Sequence, residues 1–275
     1  MPVFFYNWKY EVIAMHPFLG NEHQDLKVMT WNIHCSKGAD NERQRKIAEL
    51  ILEVDADFVQ LNEFYLKGCM VMDSILRTRY PYTENYQSYR ISGDIFYSKR
   101  VMSNSGHVHT LKGVKGIQTI KATIPAGNDS VQIFGVHMAS NRYEGNSMEK
   151  VFESDTISFD RYKGAQELRC YQALRTKEAV LESNHPVIVM GDMNDFNCSA
   201  PLDTLTSCGL KDAWWEGGNG YGCTFHNGWM RLRIDHILHS KELKLESVIV
   251  IDTNLSDHNP IVAGFSLNTN TNRTN

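Results

Sequence analysis

The chain has 275 residues, 42% of them hydrophobic and 22% charged, enough apolar side chain for a large core and too much for disorder, collagen or a coiled coil. Its length fits one α/β domain better than two. Lys and Arg number 28 against 32 Asp and Glu, a formal charge of −4, which argues against a sequence-indifferent binder of duplex DNA, whose footprint is basic.

Residues 1–27 read as an N-terminal extension. Its apolar patches are interrupted by Lys9 and Glu11 and no small-residue cleavage site follows, so it makes a poor signal peptide. No window reaches the roughly 18 uncharged apolar residues of a membrane span. A soluble domain is expected over 28–267, a monomer, with no compartment assigned. Six cysteines (35, 69, 170, 198, 208 and 223) form no Cys-x-x-Cys pair, which speaks against zinc and for reduced core or surface thiols.

In chain order, Val28–Ile33 predicts a strand, and Ile47, Leu50, Ile51 and Val54 fall at helical spacing on one buried face of 41–54. Strands follow at Asp57–Glu63, Asp94–Ser98 and Val131–Met138. Residues 140–162 are polar, aromatic and without period, a long loop. Gly164–Ser183 predicts a helix presenting Leu168, Tyr171, Leu174 and Leu181, ending before a strand at Pro186–Asp192. Strands at Ile234–His239 and Pro260–Leu267 complete the pattern, and 268–275 is a polar tail.

Several of these strands end in residues an apolar core does not choose: Asn32, Glu63, His137, Asp192 with Asn194, Asp235, and then adjacent Asp257 and His258. Each alone is more often a cap, a turn former or a satisfied structural histidine. Together they leave a core full of unsatisfied polar atoms unless they converge on a polar object, and a divalent cation with a phosphate is the natural one. Asp192 and Asn194, two apart, are expected on the same side of an extended chain.

In order, TWN, QLNE, GVHM, VIVMGDMN, TF with Thr224 followed by RIDHI, and SDH resemble the endonuclease/exonuclease/phosphatase superfamily over about Val28 to Leu267. GDIFYSK departs from the family's Gly-x-Ala-Ile-x-Ser-Arg strand at Ile95 and Phe96, a matter of packing. The resemblance implies a four-layer αββα sandwich, an α/β (α+β) fold of two mainly antiparallel sheets flanked by helices, with the site at one end. It implies a phosphoesterase using Mg2+ or Mn2+, with Glu63 the first-choice ligand and Asn32 and Asp257 beside the ion directly or through water. Asp192 is expected to take a proton from the attacking water, with Asn194 orienting the water or the phosphate. His258, paired with Asp235, donates to a phosphate oxygen and His137 adds a further contact. A water on the cation, His137 and the cation itself stay open as the group that protonates the leaving oxygen.

Arg169 either reaches the phosphate or braces the loops, and Trp214, Trp215 and Trp229 either stack on a ligand or pack their Gly-rich loops. The basic residues RQRK at 43–46, Lys99 with Arg100 and Arg231 with Arg233 are modest for a duplex nuclease, so nucleic acid is an allowed substrate that charge does not favour. The competing reading is a non-catalytic binding protein on the same fold, which would normally show a damaged position among the acids and histidines; none is damaged.

Overall fold

A computed structural model of the chain describes residues 24–35, 38–86, 93–109, 118–141 and 156–267. One six-stranded sheet runs, in spatial order, β13 (Leu243–Val250), β14 (Ile261–Leu267), β1 (Leu26–Asn32), β2 (Phe58–Phe64), β4 (Gly93–Ser98) and β3 (Tyr82–Tyr86). The second runs β5 (Ser103–His109), β6 (Gln118–Ala126), β7 (Asp129–His137), β8 (Val187–Asp192), β12 (Asp235–His239) and β9 (Lys211–Asp212). Two pairs are parallel, β1 with β2 and β7 with β8, and each is joined by a helical crossover, α1 (Asn41–Val54) and α3 (Thr156–Leu181). The remaining ladders are antiparallel. A hairpin, β10 (Phe225–Asn227) and β11 (Met230–Leu232), stands outside both sheets.

The period of two along the strands explains the layering. On β1, Val28 faces the other sheet while Met29 and Trp31 face the helices; on β2, Phe58 faces in and Val59 and Leu61 face out. β7, β8 and β12 repeat this with Ile133, Ile188, Met190 and Ile237 inward and Phe134, Val136, Val189 and Leu238 outward. The inward residues form one apolar slab between the sheets. Outside the first sheet, Ile47, Ala48 and Ile51 of α1 pack with Met72 and Leu76 of α2 (Met70–Leu76). Outside the second, Ala173 and Val180 of α3 pack with Leu202 and Leu205 of α4 (Ala200–Thr206). This is the expected four-layer sandwich.

α1 falls on the predicted residues because both of its ends are specified: Asp40 accepts from the Arg43 N–H at 2.9 Å, and Asp55 closes the helix at φ 50°. α3 departs from expectation in two ways. It begins at Thr156, so residues 156–162 are helical rather than loop, while 142–155 lie outside the described residues. Its buried face is also not the leucine stripe: Leu174 is 46% and Leu181 63% exposed, whereas Arg169, Gln172, Ala173 and Thr176 are buried. The helix is rotated this way because its polar side chains serve loop carbonyls and amides that no leucine could satisfy. The sequence pattern also passed over β5, β6 and β13, whose lysines and glycine interrupt the apolar run, and the short helices α2, α4 and α5 (Ala213–Gly217).

Candidate active site

The alternation that builds the core also builds the site. Continued to the strand ends, the inward positions Val28–Thr30–Asn32, Phe58–Gln60–Asn62, Ile133–Gly135–His137 and Ile188–Met190–Asp192 change from apolar to polar, and Asp94 and Asp235 occupy the same face at the starts of β4 and β12. Strand register then sets them side by side: Asn32 opposite Asn62, and His137, Asp192 and Asp235 in one row across three strands. Neighbouring strands lie about 4.8 Å apart, so these groups share one mouth.

Hydrogen bonds cross the mouth between the sheets. Asn32 Nδ2 donates to Asp192 Oδ2 at 3.0 Å and to Glu63 Oε1 at 3.3 Å. Asn62 donates to Asp94 Oδ1 at 2.7 Å and accepts from the Asp192 N–H at 3.2 Å. By simple alternation Glu63, next to inward Asn62, should face the helices. Instead the β2–β4 register shifts between Leu61 and Phe64, and Glu63 sits at φ 54°; this bulge turns its carboxylate into the mouth.

Asp192 follows Gly191, whose φ of 137° and approach to the Val136 carbonyl exclude a Cβ, which would lie 2.0 Å from that oxygen. Asn194 is not on the strand at all. β8 ends at Asp192, and Asn194 adopts φ 51°, donating its backbone N–H to Asp192 Oδ1 at 2.9 Å and its side-chain amide to the Met138 carbonyl at 3.0 Å. The expected proximity to Asp192 therefore arises from a turn and not from strand alternation.

Two imidazoles, His258 buried and His137 half-buried, flank Asp192. His258 Nδ1 lies 2.8 Å from Asp235 Oδ2, leaving Nε2 3.8 Å from Asp192 Oδ2. The loop is held by Trp31 Nε1, which donates to the His258 carbonyl at 2.8 Å, and by the Phe225 ring against the imidazole. Thr224 Oγ1 accepts from the Ile234 and Asp235 amides, both at 3.0 Å, which fixes the Asp235 strand. On the other side His137 Nδ1 lies 3.5 Å from Asp94 Oδ1. Neither Asp94 nor Asn62 was singled out from sequence; a carboxylate opening the otherwise apolar GDIFYS strand was the available signal.

Burial sets the electrostatics. Burial and the adjacent Asp235 charge push Asp192 up to about 6, against the pull of His258, His137 and the Asn32 amide. Burial alone would depress both histidines; Asp235 and Asp192 instead raise His258 to about 9, and Asp94, with Asp192 and Glu63, raises His137 to about 10. Near neutrality the mouth thus holds a carboxylate between two imidazoliums.

Asp257 joins the group through His34, whose Nδ1 lies 2.9 Å from Asp257 Oδ1. Glu63 thus meets Asn32 directly and Asp257 is linked to it through His34, and both carboxylates offer the hard oxygen donors that Mg2+ or Mn2+ takes. Asp94 Oδ2 and Asp235 Oδ1 are buried with no hydrogen-bond partner among the described residues, a demand that a cation, water or substrate proton would meet. Asp192, Asp235 and His258 present ligand atoms all within 4.8 Å of one another, a further group able to hold a metal. The residues fit a divalent cation.

Of the two substrate-binding expectations, Arg169 is a brace. It is fully buried, and its guanidinium is spent on Asp195 Oδ2 at 3.0 Å, the Ala139 carbonyl at 2.7 Å, Asn141 Oδ1 at 2.9 Å and Gln166 Oε1 at 2.6 Å. It ties the segment after His137 to the segment after Asp192. Arg169→Met strands the buried Asp195 charge and should cost about 3–5 kcal/mol; an unchanged urea midpoint would contradict this. Trp214 is buried and donates to the Gly220 carbonyl at 3.3 Å, and Trp215 lies under the Arg233 guanidinium at 5.8 Å. Trp229 alone is exposed, at 75%, at the tip of the β10–β11 hairpin, whose Phe225 bridges to His258.

Fold and mouth together define a class: two-sheet α/β sandwiches with a cluster of acids, amides and imidazoles at one end. The chain belongs to the endonuclease/exonuclease/phosphatase family, whose model matches residues 29–258. Nucleases and phosphatases both hydrolyse phosphoester bonds, and that coarse activity is what membership supports. A search of curated proteins finds no match. Among solved structures the chain is similar to a family protein from Bacteroides thetaiotaomicron (18% identity, 89% of this chain and 95% of that one, TM-score 0.66). It is similar to the 3' phosphatase NExo from Neisseria bound to product DNA hairpin (18%, 88% and 99%, 0.66) and to truncated Caenorhabditis elegans TDP2 (18%, 87% and 96%, 0.63). Likeness at this identity is likeness of fold. Among the described residues no helix is long and apolar enough to cross a membrane.

Proposed function

We propose that the protein is a Mg2+- or Mn2+-dependent phosphoesterase that hydrolyses a phosphodiester or phosphomonoester by in-line attack of water. The observation that supports it most is the single mouth in which an elevated carboxylate, Asp192, lies between two carboxylate-held imidazoles. Glu63 and Asp257, with Asn32 beside them, would hold the cation, which supplies charge neutralisation for the anionic ester when bound. Asp192 accepts the proton of the attacking water. Asn194 orients that water, and His258 Nε2 donates to a non-bridging oxygen. Of the groups left open for the leaving oxygen, His137, kept protonated by Asp94, is the one we assign to return its proton.

Trp229 offers an exposed ring to a base, sugar or headgroup. That exposure favours a second reading within the same chemistry, a nuclease or 3' phosphatase acting on single-stranded ends, as the neighbour NExo acts at a 3' phosphate. A panel of an aryl phosphodiester, abasic and single-stranded oligonucleotides, plasmid, inositol phosphates, sphingomyelin and nucleotides, with Mg2+ and Mn2+, distinguishes these; hydrolysis of none would overturn the reading.

The role of His137 makes a pH prediction. His137 and His258 must both carry their protons, so activity should persist on the alkaline side until pH approaches about 9, where His258 gives up its proton first. Asp94→Asn removes the charge that holds the His137 proton, and the alkaline limb should move down toward the ordinary histidine range, near 6.5. A limb that stays in place would remove His137 from proton return.

A further inference from the structure

His34 is a non-glycine residue held at φ 46°, in the left-handed region that costs a β-carbon residue energy and calls for a reason. The conformation serves two bonds at once. The backbone N–H of His34 turns back to Asn32 Oδ1 at 3.1 Å, which settles the amide's orientation and so aims Nδ2 at Glu63 and Asp192. Its ring reaches across 223 positions of sequence to put Nδ1 2.9 Å from Asp257 Oδ1. The surrounding loops are strapped by Arg43, which donates from Nε to the Leu255 carbonyl at 2.7 Å and from Nη2 to the Ile33 carbonyl at 2.6 Å. Ser256 Oγ closes the same joint on the Asn32 carbonyl at 2.8 Å. The loops after β1 and before β14 are therefore locked together, and the Asp257 carboxylate itself is met by the His34 ring at 2.9 Å and, more weakly, by Ser256 Oγ at 3.4 Å.

We propose that His34 is a positioning residue of the cation site, fixing the Asp257 carboxylate through Nδ1 and the Asn32 amide through its backbone N–H. This rests on the cation-dependent reading above. A carboxylate already held in one orientation gives up less freedom when it takes a cation, and such outer partners are worth about 10- to 100-fold in metal affinity. The His258–Asp235 pair is buried and His137 is nearly so, but the His34 ring is 40% exposed, so its removal opens no core cavity.

The test measures Mn2+ binding by the loss of the free-ion electron paramagnetic resonance signal, with thermal melting of the metal-free proteins alongside. His34→Ala should weaken Mn2+ binding by about 10- to 100-fold. His34→Asn, whose amide nitrogen stands near the position of Nδ1 and which tolerates φ > 0, should restore most of it. His34→Gln, whose donor stands one bond further out, should not. Wild-type affinity in His34→Ala, or equal rescue by Asn and Gln, would overturn the proposal. If His34→Ala melts early, the comparison of Asn with Gln still decides. Glu63→Ala separates the two levels: if it abolishes binding while His34→Ala leaves it intact, only the role of His34 falls. If the wild-type protein takes up no Mn2+, the cation-dependent reading falls and the role of His34 with it.

Discussion

Asp192→Asn should lower hydrolysis of an aryl phosphodiester by about 10²- to 10⁴-fold, the range carried by a positioned general base. The substitution keeps the size of the side chain and an oxygen for the Asn194 N–H, now at 2.9 Å, but places an amide nitrogen where Oδ2 stood, so it neither takes a proton there nor accepts from Asn32 Nδ2. It also removes the like charge beside Asp235, one of the two causes that push Asp192 up to about 6, so part of the electrostatic cost of the native site disappears with the activity. The expected signature is loss of kcat in a folded protein whose melting temperature falls only by what the lost Asn32 Nδ2 bond costs, about 1–3 kcal/mol. The wild-type acid limb should lie near pH 6, because Asp192 must be deprotonated to act. A variant that turns over within a few-fold of wild type would show that the water is activated elsewhere.

The second large effect is expected at Glu63, where a bulge and a left-handed backbone aim one carboxylate into the mouth. Glu63→Gln keeps the shape and the acceptor for Asn32 Nδ2 but removes the negative charge. Activity at a fixed low Mg2+ concentration should fall at least about 100-fold, the upper range even for partners outside the ligand shell, and raising Mg2+ or Mn2+ should recover part of it. A Mg2+ activation curve superposable on that of wild type would exclude Glu63 as a ligand.

Much of this site was legible in sequence because β-strands carry a period of two. Val28 and Asn32, or Ile188 and Asp192, belong to the same face, so a polar residue ending an apolar run marks the mouth of the sandwich. The features that stayed hidden are those that break the period or need long-range contacts. Glu63 faces the site only through a bulge, and Asn194 approaches Asp192 only through a turn. Asp94 became informative once register and sheet packing brought it to His137, and His34 once its ring met Asp257. Arg169 and the face of α3 were ambiguous for a related reason: apolar spacing favoured the leucines, but the loop carbonyl of Ala139 and the carboxylate of Asp195 required a buried guanidinium.

The proposed activity requires these scattered groups to act together, through a bound cation, on a phosphoester. The most direct measurement is turnover of an aryl phosphodiester by the wild-type protein stripped with chelator and titrated with Mg2+, run beside Asp192→Asn. Turnover should vanish on stripping, return with added Mg2+, and stay low throughout in the variant. Full turnover without a divalent cation, or undiminished turnover in Asp192→Asn, would contradict it.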